Sequence, residues 1–271
     1  MNVIDQRYIL KVGEPASFRL DLLDALHGKY SEQFLNEIQI KDSVSILDIG
    51  CGVGNMSCWF AKKFPYAHVV GLDNSSAQLD LAKKRANQKK LMNIRFCFGD
   101  LNQVDNQYEQ FDIIYSRYSL IHVNNPVETL KNLKNKLAPD GRFVLEEPTM
   151  SSAFCYPDNL DYQKSRVLLN RLAELRGFDF EIGKKLETML HDLGLTIQHR
   201  HLVQPLLETF DEKQLLLLLV EECRDSYLSH DLISEDALEE MILNLEKLIQ
   251  MKGTCIGFPR TTQVCAVKML G

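Results

Sequence analysis

Residues 44–55 read Val-Ser-Ile-Leu-Asp-Ile-Gly-Cys-Gly-Val-Gly-Asn: a short apolar run, an acid at Asp48, and glycines at alternate positions 50, 52 and 54. Residues 44–49 fit a buried strand, and residues 56–64 fit the helix that follows it. Glycines between a strand and a helix allow a sharp turn and bring bare backbone close to a ligand that side chains would hold off. An α/β chain with a ligand cradle at the tip of its opening strand is expected. The dinucleotide fingerprint G-x-G-x-x-G wants glycine at position 55, where this chain has Asn55, so a nicotinamide or flavin reading is weakened. A P-loop ends in Gly-Lys-Ser/Thr, and no lysine stands here, which weakens a nucleotide triphosphatase further.

The alternation continues. Residues 68–72 form a second apolar strand ending in Asp73, and 93–98 a third, closed by Gly99-Asp100-Leu101. Residues 111–115 form a fourth and 142–147 a fifth, with helices expected at 77–88 and 127–137 and a turn at Pro139-Asp140-Gly141. From Pro148 the rhythm changes. Helices are expected at 162–175 and 183–193, a sixth strand at 195–203, two helices at 212–228 and 235–251, and a last alternating strand at 262–269. Ahead of the glycine turn, residues 16–26 and 31–38 show helical spacing with Gly28 between them, predicting two helices in an N-terminal cap over residues 1–43. The run 215–220 is apolar on every helix face, so it is buried against the core, against a partner chain in a homodimer, or against a substrate cavity.

Several motifs together carry a resemblance: Asp48-x-Gly50-x-Gly52-x-Gly54, the string FDIIYSRYSLIHVNNP at 111–126, the Leu137-x-Pro139-x-Gly141 turn, and the segment running from Tyr8 to Arg19-Leu20. The chain resembles the class I methyltransferases that use S-adenosyl-L-methionine, and within them the small-molecule enzymes of the ubiquinone/menaquinone and natural-product type. The resemblance implies a Rossmann-like, doubly wound, seven-stranded sheet, mostly parallel, with an antiparallel last strand beside the sixth. It implies a methyltransferase domain over 44–271, with helical lid insertions at about 150–180 and 205–262. The cofactor would rest on Asp48, Gly50, Cys51 and Gly52 of the turn, with S-adenosyl-L-homocysteine as product. Asp73 and Asn74 follow some twenty residues on, where an acid closing the second strand of such folds accepts from ribose hydroxyls; with Asn74-Ser75-Ser76 it also reads as a helix cap. The resemblance gives Asp100 and Leu101 to the adenine, Ser116 and Arg117 to the cofactor's flank, and Tyr118 and His122 to the neighbourhood of the transferred methyl. It also brings Tyr8 and Arg19 to the amino-acid carboxylate, which suits arginine's fork; a surface ion pair is the competing reading for Arg19.

A sulfonium methyl is already activated, so the protein's task is alignment and exclusion of water. For a hydroxyl acceptor His122 is the candidate base, with packing as its alternative role; for a carbon acceptor, Glu146 or Glu147, of which alternation leaves at most one on the inner face. The Asp/Asn-Pro-Pro-Tyr/Phe tetrad of planar-amine methylation is absent, since the chain reads Ser116-Arg117-Tyr118-Ser119. A net charge of −6 disfavours a nucleic-acid substrate. Seven cysteines without C-x-x-C pairs support neither zinc nor a disulfide framework, and no apolar run approaches the roughly 20 residues of a membrane span. With no secretory pattern at the N-terminus, a cytoplasmic protein is expected. The reading is an O- or C-methyltransferase of a small molecule. An RNA or protein methyltransferase, and a cofactor-binding protein without turnover, remain alternatives.

Overall fold

The computed structural model describes residues 10–101 and 110–268. In chain order its elements are α1 (Glu14–Glu37), β1 (Ser45–Ile49), α2 (Asn55–Lys63), β2 (His68–Asp73), α3 (Ser76–Gln88), β3 (Ile94–Phe98), β4 (Phe111–Arg117), α4 (Pro126–Lys134), β5 (Leu137–Thr149), β6 (Phe154–Tyr156), α5 (Leu160–Arg176), α6 (Leu186–Asp192), β7 (Leu195–Val203), β8 (Leu206–Leu207), α7 (Phe210–Glu222), α8 (Arg224–Ser229), α9 (Glu235–Gln250), β9 (Cys255–Gly257) and β10 (Arg260–Lys268). The main sheet has the order β3-β2-β1-β4-β5-β10-β7. The pairs from β3 through β5 are parallel, while β10 runs antiparallel to both β5 and β7. This is the expected Rossmann-like seven-stranded sheet.

Alternation along the strands divides the core. Leu47 and Ile49 of β1 face one cluster with Leu72, Leu120 and Leu145, and Ile46 faces another with Phe34, Phe60 and Tyr115. Caps set the helix ends. Ser75 accepts from the Gln78 N–H, Asn125 from Glu128, Asn159 from Tyr162, and Thr209 with Glu212 forms a capping box. Asn93 reaches the carbonyls of Ala61, Phe64 and Ala67 at 3.0–3.1 Å and ties the end of α2 to β3.

Four expectations are corrected. The two N-terminal helices are one, α1, which runs through Gly28 without a break. A lone interior glycine costs only about 1 kcal/mol against alanine, and buried Leu26, His27, Ser31 and Phe34 hold both sides of it. The helix expected at 212–228 is divided at Cys223 into α7 and α8. The turn Pro139-Asp140-Gly141 is a bulge inside β5, whose pairing with β4 jumps from Leu137 to Arg142 within two residues. Finally, the insertions expected at about 150–180 and 205–262 are not helical throughout, because β6, β9 and β8 form a separate antiparallel sheet of three strands.

Candidate active site

A cavity of about 580 Å3 lies over the C-terminal ends of β1 to β5, within the range of small-molecule sites. Its floor is the strand tips: Gly50 and Gly52, Asp73 to Gln78, Phe98 with Asp100 and Leu101, Arg117 to Ser119, and Ile121 to Asn124. Its roof comes from α1 (Arg19, Leu20, Leu23) and from Met150, Leu169, Phe178, Phe180, Leu219 and Phe258.

The three glycines do different work. All have positive φ, but a Cβ on Gly50 would sit 2.2 Å from Ser119 Oγ, and one on Gly54 would meet Ala82 at 2.9 Å and Phe96 at 3.0 Å. Those two are required by packing. Gly52, at φ 54°, has nothing closer than Leu20 at 3.7 Å and bares its backbone to the cavity. Its N–H donates to Asp73 Oδ2 at 2.8 Å, and the Ser75 N–H donates to Oδ1 at 2.9 Å. Burial raises the Asp73 pKa, while those donors pull it back. Asp73 thus braces the glycine turn, and Ser75, not Asp73, caps α3.

Beyond β4 the backbone coils once over 119–122, and one carboxylate organises it. Glu147 accepts the N–H groups of Ser119, Leu120 and Ile121 at 3.1, 3.0 and 3.4 Å, and the Ser116 hydroxyl at 2.9 Å. Complete burial pushes its pKa to about 7 despite these donors. Its neighbour Glu146, on the opposite face, accepts from Tyr115, Ser31 and Gln263 at 2.6–2.8 Å. Tyr118, at φ 57°, sits in a region that non-glycine residues rarely occupy. Its ring lines the cavity, its hydroxyl pairs with Thr261 Oγ1 at 2.8 Å, and burial raises its pKa.

Two arginines reach the site from different directions. Arg117 is held by Asp24 at 2.5 Å and touches Ser31 Oγ at 3.3 Å. Arg19 lines the cavity, is 2% exposed and binds Glu222 of α7 through Nε at 2.8 Å, which leaves its buried Nη2 without a hydrogen-bond partner among the described residues. His122 lines the cavity with Phe178 packed edge-on against it at 5.4 Å. Burial, then the Arg19 charge, lowers its pKa to about 3, so the ring is neutral at neutral pH.

A family model described as a methyltransferase domain matches residues 40–192, more than half of the chain. The chain belongs to the methyltransferase-domain family. It is 30% identical over 171 residues to an uncharacterised methyltransferase of Schizosaccharomyces pombe, covering 60% of each chain. It is 31% identical over 184 residues to trans-aconitate 2-methyltransferase of Variovorax paradoxus, covering 65% of each. It thus spans less than two thirds of either relative. Its fold is shared by the solved coclaurine N-methyltransferase bound to N-methylheliamine and S-adenosylhomocysteine, with a TM-score of 0.54, 16% identity, and coverage of 92% of this chain and 72% of that one.

Among the residues singled out in the sequence, Arg19, Gly50, Gly52, Asp73, Asn74, Asp100, Leu101, Arg117, Tyr118 and His122 line the one cavity. Asp48, Cys51 and Ser116 do not. Asp48 is buried beneath the turn, accepts from the Ser57 hydroxyl, and has a pKa raised by burial to about 7. Cys51 turns its sulfur toward Gly71, and Ser116 spends its hydroxyl on Glu147. Tyr8 lies outside the described residues. Glu146 and Glu147 alternate as expected, yet neither reaches the cavity, because the sheet is covered on both faces. The competing surface-pair reading of Arg19 is corrected, since its ion pair is buried. Sequence reasoning missed Ser119, Phe178, Phe180 and Phe258. Only Ser119 carried a signal, standing in the same string as Tyr118 and His122. No described helix is long and apolar enough to cross a membrane, and among the described residues no three His, Cys, Asp or Glu cluster as a metal site.

Proposed function

We propose that the chain transfers a methyl group from S-adenosyl-L-methionine to an oxygen or carbon of a small, largely apolar acceptor. The observation that carries this reading is one continuous cavity, polar over the strand tips and apolar under the roof. Three features suit the cofactor. The buried Arg19 Nη2, without a hydrogen-bond partner among the described residues, suits a carboxylate, Gly52 offers bare backbone to the cavity, and the Asp73 carboxylate, with backbone donors from Gly52, Asn74 and Ser75, keeps a lone pair for a ribose hydroxyl. Asp100 and Leu101, at the tip of β3, are assigned to the adenine.

Bound there, the cofactor supplies an electrophilic methyl carbon that needs only an aligned nucleophile. The chain's own part follows from its walls. Phe178, Phe180, Phe258, Leu169 and Met150 keep water from the acceptor, and the described wall at that end carries no carboxylate. His122, neutral at neutral pH, accepts a hydrogen bond from an acceptor hydroxyl and orients it; with its lowered pKa it is a weak base. Tyr118 supplies a ring face, since Thr261 holds its hydroxyl. The net charge of −6 weighs against a nucleic-acid acceptor.

Calorimetry with S-adenosylmethionine and S-adenosylhomocysteine, followed by homocysteine-nucleoside release with fractionated metabolite extracts, tests the reading. Binding of both, with release in an apolar fraction, supports it. Absence of binding overturns it, and binding without release from any fraction favours a non-catalytic binder.

A further inference from the structure

The apolar run 215–220 of α7 does more than fill the core. Leu215 is fully buried, but Leu219 lines the large cavity and also a second one of about 60 Å3 behind it, which Leu216 and Val220 line as well. Met150, Leu169, Leu219 and Phe258 belong to both linings, so these four side chains form the partition between the two spaces. They come from four separate parts of the chain, and one is an unbranched, adaptable methionine. A water needs about 10–15 Å3 on this measure, so the chamber has room for about four to six carbon-sized groups.

Most of the lining is apolar; of its polar members, Ser165 donates to the Tyr162 carbonyl, Arg166 donates to the carbonyls of Ala153 and Met150, and Tyr162, Asn170 and Tyr227 also stand there. Tyr227 is 1% exposed and lines the chamber, and among the described residues its hydroxyl meets only the weakly bonding Cys223 thiol. A mainly apolar void with the Tyr227 phenol in its lining suits an alkyl segment that ends in a hydrogen-bond acceptor.

Building on the reading that the large cavity holds cofactor and acceptor, we propose that the acceptor is elongated. Its apolar tail passes between Met150, Leu169, Leu219 and Phe258 into the second chamber, where a terminal oxygen accepts from the Tyr227 hydroxyl.

The test titrates a homologous series of 4-alkylphenols, methyl to octyl, into the full chain saturated with S-adenosylhomocysteine. Affinity should rise about 4-fold per methylene, as for about 0.8 kcal/mol each, and level off once the chamber is full. Val220→Phe, which fills the chamber from α7, should abolish the gain for long members while short members and S-adenosylhomocysteine bind as before. Tyr227→Phe preserves the shape of the chamber and serves if the first variant folds poorly. It should weaken ω-hydroxyalkyl members about 5-fold and leave the plain alkyl ones unchanged, the worth of one hydrogen bond. Flat affinities along the wild-type series, or an unchanged slope in Val220→Phe, make the chamber a packing defect and overturn the proposal. Failure to bind S-adenosylhomocysteine overturns the cofactor reading first and this proposal with it.

Discussion

The Gly52 N–H donates to Asp73 Oδ2 at 2.8 Å, so the turn that follows the first strand and the acid that closes the second are one rigid assembly. Replacing the acid removes a brace and a binding group together. Asp73→Ala should weaken S-adenosylhomocysteine about 10- to 100-fold, the range for hydrogen bonds to a charged group, and lower the melting temperature. Asp73→Asn keeps the size and one acceptor oxygen, and should melt closer to wild type while still binding more weakly. Calorimetry on both variants checks this. Affinity within 2-fold of wild type in Asp73→Ala would remove Asp73 from the cofactor site.

Arg19 and Glu222 allow binding and stability to be separated. Their buried ion pair joins α1 to α7, and breaking such a pair from one side costs about 3–5 kcal/mol because the other charge is stranded. Arg19→Met should therefore both destabilise the fold and weaken S-adenosylhomocysteine. In Arg19→Met/Glu222→Leu no charge is stranded, so denaturant midpoints should recover most of the loss while affinity stays low. Recovery of both would mean that Arg19 acts only as a strut.

Why some of this was readable from residues and some was not follows from range. The glycine turn, Asp73 and the string 116–122 are local patterns, and each marks the tip of a strand whose alternation is clear over five or more residues. The small sheet escaped because β6 and β8 are three and two residues long, too short for a period to show. The unbroken α1 was hidden because burial on both sides of Gly28 outweighs its propensity. Arg19 was placed at the cofactor by resemblance, but Glu222, its partner, is 203 residues away, and no local pattern connects them. The same distance in sequence hides the aromatic roof, whose members become neighbours only when the segments after β5 fold back over the strand tips.

His122 yields a prediction about rate. Since its pKa is lowered to about 3, the turnover profile should show no histidine limb near pH 6.5. His122→Phe keeps a ring against Phe178 and should leave S-adenosylhomocysteine affinity within about 2-fold while lowering turnover about 5-fold, the worth of the one orienting hydrogen bond. Unchanged turnover would reduce His122 to packing.

Glu147 should make stability fall as pH rises, the reverse of the usual carboxylate. Its folded pKa of about 7 lies above the ordinary 4.5, because burial opposes the charge more than four donors favour it. Between those values the folded state binds more protons than the unfolded chain, so the contribution is fully present below about pH 4.5 and is lost as pH climbs through 7. The buried His27 and His122, both lowered to about 3, act in the opposite direction: their contribution is present above about pH 6.5 and is lost as pH falls toward 3. The histidines mask Glu147 in wild type, so the effect must be read as a difference between proteins. Glu147→Gln stays uncharged throughout and leaves the histidines in place. Relative to this variant, wild type should lose about 3 kcal/mol between pH 4.5 and 8, the full 2.5-unit shift at about 1.4 kcal/mol per unit. Urea midpoints measured for both proteins across that range test this, and a difference that stays constant with pH would show that Glu147 folds with an ordinary carboxylate pKa.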